Sequence, residues 1–131
     1  MNFPEKFIDL IKPETKAFLF LATVNANGTP QLSPVWFDTD GKHILINTNE
    51  GRLKDQNMKA RPNQITMVIQ DPNDPYRYLG IKGKVASSTT EGADEHINKL
   101  SIQYDDKPWK YREGQKRIIF KIEPIRFDEH N

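Results

Sequence analysis

Asn27-Gly28 is the feature that most narrows what this chain can fold into. It stands between two apolar-rich segments, "AFLFLATV" before it and "TPQLSPVWF" after it. A two-residue turn that needs φ > 0 takes Asn-Gly by preference, and its twist suits the two strands of a hairpin. Ala17 to Val24 is too short for a helix and reads as a buried strand; Thr29 to Phe37 is its antiparallel partner. Pro30 and Pro34 fall inside that second strand. Proline cannot donate to a ladder, so the strand lies at an edge, carries a bulge, or lines a ligand.

The rest of the chain continues in the same style. "DTDGK" makes a turn and His43 to Asn47 a third strand, giving a three-strand meander. Gly51 to Arg61 reads as a helix that stops near Pro62. Gln64 to Gln70 is a strand, "DPNDP" a turn-rich loop, and Tyr76 to Ser87 a long strand that Gly80 and Gly83 allow to bend. Glu91 to Tyr104 places Ala93, Ile97, Leu100 and Tyr104 on one helical stripe, with Ser88 and Glu91 spaced as a capping box. "DDKPWKYREGQK" is a loop, and Arg117 to Phe127 a final strand. Pro4 to Lys12 forms a short helix placed as a lid. Length and order of elements predict one mainly β domain over residues 1–131, an antiparallel barrel with flanking helices.

Composition excludes several functions. Lysine plus arginine is 19 and aspartate plus glutamate 18, so no global field draws the chain to nucleic acid. No apolar run approaches the about 20 residues of a spanning helix, and the N-terminus lacks a signal-peptide core. The reading is therefore no nucleic-acid partner, no membrane, and a cytoplasmic location. With no cysteine there are no disulfides and no thiolate chemistry. His43, His96 and His130 stand in no metal-binding spacing, and no nucleophile elbow, Walker loop or G-x-G-x-x-G is present. No metal site and no catalytic side chain can be named, so an enzyme on this chain leaves the hard chemistry to a cofactor.

Charge is nonetheless concentrated locally. "NTNEGRLKDQNMKARP" gathers Arg52, Lys54, Lys59 and Arg61 behind a strand end. A strand, a short turn and a helix N-terminus make a natural phosphate cradle, with Thr48 offering a hydroxyl, Arg52 a planar fork and Lys54 a point charge. The same run is also what a solvated helix face balanced by Glu50 and Asp55 looks like. In "QLSPVWFD", a proline-broken strand bearing Trp36 suits a flat aromatic ligand, or an edge strand with a packed tryptophan. Tyr76, Arg77 and Tyr78 are a stacking group or simply the start of a strand. Trp109 and Tyr111 line a substrate pocket or pack on the barrel.

Taken in order, "FLATVNANGTPQLSPVWFDTDGKHILINT", "GRLKDQN", "DPNDPYRYLGIKGKV", "TTEGADEHINKL" and "IIFKIEP" resemble the pyridoxamine-phosphate-oxidase-like oxidoreductases, whose fold is the FMN-binding split β-barrel. Within that family the chain is most similar to the branch using the deazaflavin coenzyme F-420. The resemblance covers about residues 17 to 125. It implies a homodimer, and hydride transfer between a reduced deazaflavin and a small-molecule substrate. FMN is the alternative cofactor, and a non-catalytic flavin or deazaflavin carrier the alternative role. It places cofactor phosphate near Asn47, Thr48, Arg52, Lys54 and Asn57, and the ring system beside Ser33, Pro34, Val35 and Trp36. Tyr78 is implied to reach a site from the other subunit. Gln56 is neutral where many relatives carry a second basic residue.

Overall fold

A computed structural model of the chain describes residues 2–131. Nine elements of regular structure follow two short 3-10 turns, Glu5–Ile11 and Pro13–Thr15. They are β1 (Leu19–Val24), β2 (Pro30–Val35), β3 (Asp38–Thr39), β4 (Ile44–Asn49), α1 (Leu53–Ala60), β5 (Ile65–Asp71), β6 (Asp74–Thr89), α2 (Ala93–Asp105) and β7 (Arg117–His130). The strands form a single antiparallel sheet in the order β2-β1-β5-β6-β7-β4-β3. The sheet curls on itself into a split β-barrel, as the sequence leads one to expect.

Alternation explains the curl. Leu19 and Leu21 on β1, Ile44 and Ile46 on β4, Met67 and Ile69 on β5, and Phe120 and Ile122 on β7 all point inward and are buried. Register pins this arrangement, because a one-residue slip would turn every one of them outward. β6 and β7 are long enough to bend, and their register shifts at Lys82/Gly83 and Val85/Ser87. At Gly83 a Cβ would sit 2.7 Å from Ile122 Cγ2 and 3.1 Å from the Glu123 carbonyl, so the bend depends on a residue without one.

The hairpin β1–β2 forms around Asn27-Gly28, but through a longer loop than a two-residue turn: the Asn25 N–H donates to the Thr29 carbonyl at 2.8 Å, the Gly28 N–H to the Asn25 carbonyl at 2.9 Å, and Gly28 at φ +87° takes the positive φ without Asn27. β2 is an edge strand, which leaves the missing donors of Pro30 and Pro34 without cost to a neighbour. The expected meander does not continue. β4 pairs with β7 and β3, at the opposite end of the sheet from β2. Trp36 and Phe37 alone carry the chain from one edge to the other. The sequence signals turns but not which long-range pairing wins, and β7 supplies a better apolar partner for β4 than a proline-interrupted strand.

The N-terminal segment is 3-10 rather than α, and it covers one end of the core with Phe7 and Leu10. Arg77 fastens it, pairing with Asp9 at 2.8 Å and Asp71 at 3.0 Å and donating to the Lys6 carbonyl at 2.7 Å. The capping box at α2 does not form. Ser88 lies in the β6–β7 ladder opposite Phe120, and Thr89 Oγ1 accepts the Glu91 N–H instead at 3.1 Å. The predicted α2 stripe is kept, with Ala93, Ile97 and Leu100 buried.

Candidate functional site

α1 begins where β4 ends. Gly51 turns the chain at φ +92°, and Arg52 is the N-cap residue. Asp55 reaches back to accept the Gly51 N–H at 2.8 Å, and Gln56 Nε2 donates to the Gly51 carbonyl at 2.7 Å. The neutral Gln56 thus fastens the turn. Arg52 and Lys54 project beside the strand end rather than along the helix, and there they meet β7 and the loop that precedes it.

Together these elements enclose a cavity of ≈ 420 Å³. Its walls are Pro34, Val35 and Trp36 from the β2 edge, Asn47 and Thr48 from β4, and Ile97 and Leu100 from α2. Arg52, Lys54, Lys110, Arg112 and Arg117 also line it, and no carboxylate does. None of those five cations makes an ion pair among the described residues. Burial, with Arg52 and Arg117 nearby, pulls the Lys54 ammonium below its ordinary value. Burial and then Arg52 do the same to Arg117, against a weaker opposite pull from Asp94. Like charges held together without a counter-ion are costly, and such clusters mark functional sites.

Aromatic rings form the other wall. Trp36 stacks on Tyr104 at 5.4 Å and 5°, and meets Trp109 edge-on at 6.2 Å. Tyr104 is held rigidly, its hydroxyl donating to the Ala17 carbonyl at 2.6 Å; burial pushes its phenol up to about 12. It is therefore a brace and not a proton donor to the cavity. Two buried polar atoms of the lining have no partner among the described residues, the Trp109 indole N–H and Gln115 Oε1.

Of the residues expected at a cofactor site, Pro34, Val35, Trp36, Asn47, Thr48, Arg52 and Lys54 converge on this cavity. Three do not. Asn57 is 2% exposed and faces β1, donating to Thr23 Oγ1 at 3.1 Å and Asn25 Oδ1 at 2.9 Å and accepting from Arg61 at 2.9 Å. Every polar group it has is engaged inside the fold, because the turn of helix beyond Lys54 has rotated it inward. Ser33 points to the other side of β2 from Pro34, and its buried hydroxyl has no partner among the described residues. Tyr78 stacks on His130 at 4.3 Å on the outer face of the sheet, where it lines a separate cavity of ≈ 420 Å³. Asn47 is present but its amide is turned to protein partners.

Sequence reasoning missed Phe18, Lys110, Arg112, Gln115 and Arg117. Trp109 lies in a loop without periodicity. The usable signal was the density of cations around that tryptophan, "WKYREGQKR". A network beneath the floor was missed as well. His96 and Lys99 both hold Asp38, at 3.1 Å and 2.9 Å. Burial pushes the Asp38 carboxyl up, but those two bonds and the Thr39 N–H outweigh it and hold it at about 2. Among the described residues no group of three His, Cys, Asp or Glu side chains is arranged to hold a metal, and no helix is long and apolar enough to cross a membrane.

Comparison with known proteins accounts for this architecture. The family model described as pyridoxamine 5'-phosphate oxidase matches residues 4–131. A solved structure of an F420 reductase superposes with a TM-score of 0.84 at 32% identity, over 96% of this chain and 98% of that one. A putative pyridoxamine 5'-phosphate oxidase from Listeria innocua gives 0.72 at 17% identity, over 95% of each chain. HutZ, the heme storage protein of Vibrio cholerae, shares the fold with a TM-score of 0.67 at 14% identity, over 99% of this chain and 96% of that one. No curated protein sequence matches the chain. The barrel, the family model spanning nearly every residue and the reductase neighbour agree: the chain belongs to the pyridoxamine 5'-phosphate oxidase family of split β-barrels.

Proposed function

We propose that the cavity binds a flat redox cofactor carrying a phosphate group, a deazaflavin of the F420 type with FMN as the alternative. The protein is then an oxidoreductase moving a hydride between that cofactor and a small organic acceptor. The observation that carries this reading is the set of five unpaired cations beside an aromatic wall. An anion with a planar body meets both demands at once, whereas a neutral ligand would leave the charges unanswered.

The lining fits such a cofactor. Arg52 and Lys54 take the phosphate, with the Thr48 hydroxyl beside them. The β2 edge from Pro34 to Trp36 backs the ring. The unpartnered Trp109 N–H and Gln115 Oε1 are a donor and an acceptor on one loop. The pyrimidinedione edge common to flavins and deazaflavins offers the complementary pair. When bound, the cofactor supplies the hydride chemistry. The chain's own residues hold charge, fix orientation and exclude water; none stands as a general acid or base. The similarity to an F420 reductase at 32% identity favours the deazaflavin over FMN.

A homodimer belongs to this reading. The outer face of β2, β1, β5 and β6 exposes Phe18 and Leu32, and carries two further cavities lined by Phe20, Val68 and Tyr78 among others. A second copy of the chain covers that face and brings its residues toward the partner's site. Light scattering at micromolar concentration should give about twice the chain mass.

The direct test is titration with F420 and with FMN, followed by visible absorption at low and high salt. Saturable binding, tighter for F420 and weakened by salt, is expected. No spectral change with either would sink the reading. Reduced F420 offered with a panel of acceptors then separates the roles: binding without hydride transfer makes the protein a carrier.

A further inference from the structure

Arg117 opens β7 and is only 8% exposed, yet it has no ion pair among the described residues. Its Nε donates to Asn47 Oδ1 at 2.9 Å. The guanidinium lies over the Trp109 ring at 5.1 Å. One edge and one face are thus held, and its terminal nitrogens have no protein partner among the described residues. Arg117 lines the cavity. A nearly buried guanidinium without a counter-ion is among the most costly features a fold can carry. Its geometry also matches that of a planar fork presenting two parallel N–H groups.

The orientation is set from below by a chain of groups whose roles their chemistry dictates. Arg117 Nε only donates, so Asn47 turns its Oδ1 toward it. The Asn47 Nδ2 then donates to the Ala93 carbonyl at 2.9 Å and faces His96 Nδ1 at 3.1 Å. His96 Nδ1 must accept, so the ring proton is on Nε2, which faces Asp38 at 3.1 Å. Lys99 holds the same carboxylate from α2 at 2.9 Å. Of these linked groups only Arg117 and Asn47 line the cavity.

We propose that Arg117 is a bidentate receptor for an oxyanion, phosphate or carboxylate, and that Asn47 and His96 are positioning residues that aim it. The proposal rests on the cavity being the ligand site described above, and it adds an anchor apart from the α1 pair Arg52 and Lys54. The oxyanion is either the phosphate of the cofactor or a carboxylate on the substrate.

Four probes distinguish these sources: inorganic phosphate, benzoate, FMN and riboflavin, with binding read by calorimetry and by tryptophan fluorescence, since Trp109 lies under the guanidinium. Arg117→Gln should weaken an oxyanion by about ten- to a hundredfold. If the source is the cofactor phosphate, FMN and inorganic phosphate lose that factor and riboflavin does not. If it is a substrate carboxylate, benzoate loses it and FMN does not. Arg117→Lys, which keeps the charge without the fork, should recover only part, and it gives the same reading should the glutamine variant fail to melt cooperatively. Asn47→Leu should weaken the same probe in the wild-type background and have no effect on it in Arg117→Gln, an outcome that mere loss of packing would not give. Arg117→Gln that unfolds cooperatively and binds all four probes as the wild type does would overturn the proposal while leaving the cofactor reading intact. Phosphate or benzoate binding that depends on Arg117, with no binding of FMN or F420, would do the reverse.

Discussion

The two halves of α1 carry similar charge and opposite fates. Lys59 pairs with Asp55 at 3.0 Å and Glu50 at 3.4 Å. Arg61 donates to the Val24 carbonyl and to Asn57. Both cations belong to the fold. Arg52 and Lys54, less than two turns earlier, have no such partners and face Arg117 across a cavity. A sequence displays all four as one basic run. What separates them is whether the protein supplies a partner, an ion pair for Lys59 and neutral hydrogen-bond acceptors for Arg61, and a cation at a cavity without one is the stronger pointer to a ligand.

The sharpest way to break this contrast is at Asn57, which ties the inner half of the helix to β1. Asn57→Leu removes three hydrogen bonds, one of them from the Arg61 guanidinium; about 3 kcal/mol of stability should be lost, measured by denaturant unfolding. Phosphate-bearing ligands should bind the folded fraction unchanged, and a large loss of intrinsic affinity would return Asn57 to the site. On the cavity side, Lys54→Ala should weaken FMN or F420 about ten- to a hundredfold, from about 1.5–3 kcal/mol of charge-assisted bonding. Its melting temperature should stay level or rise, since a cation without a partner is removed; lost stability with unchanged affinity would show Lys54 to be structural.

Acid tests the paired side again. Asp38 falls to about 2 from an ordinary 3.8. Its stabilising contribution is therefore present above about pH 4 and is lost as pH falls toward 2, worth about 2 kcal/mol. Thermal melts across that window should steepen for the wild type and flatten for Asp38→Asn; parallel curves would count against the network. The smallest effect is expected at Lys59→Ala, below about 1 kcal/mol in stability because its pairs are partly exposed. Its effect on cofactor affinity should be within error. If Lys59→Ala and Lys54→Ala cost the same affinity, charge at this surface acts diffusely and the distinction fails.

Much of the fold was legible because it is written locally. Asn27-Gly28, the prolines of β2 and the α2 stripe each act through their own backbone or their nearest neighbours. The pairing of β4 with β7 was not legible, since it joins residues about seventy apart that carry equally apolar patterns. The capping box failed for a related reason: the ladder claimed Ser88 before the helix began. At the cavity, Thr48, Arg52 and Lys54 were legible as a strand end followed by a first helical turn, whereas the β2 residues and Asn47 came from the family resemblance. Arg117 and the Trp109 loop could not be placed, because a loop has no period to show which way it folds back. Asn57 was misplaced by less than a turn of helix, enough to move a side chain from a cavity to a core.

The two residues Trp36 and Phe37 tether opposite edges of a seven-stranded sheet. The barrel is therefore a clasp: its rim is joined by covalent chain and by packing, not by a ladder from β2 to β3. A ligand lying against Pro34 and Val35 on one side and Asn47 and Thr48 on the other bridges that opening. A ring bound there would complete the rim mechanically, and the contacts that orient it would also resist the parting of the two edges.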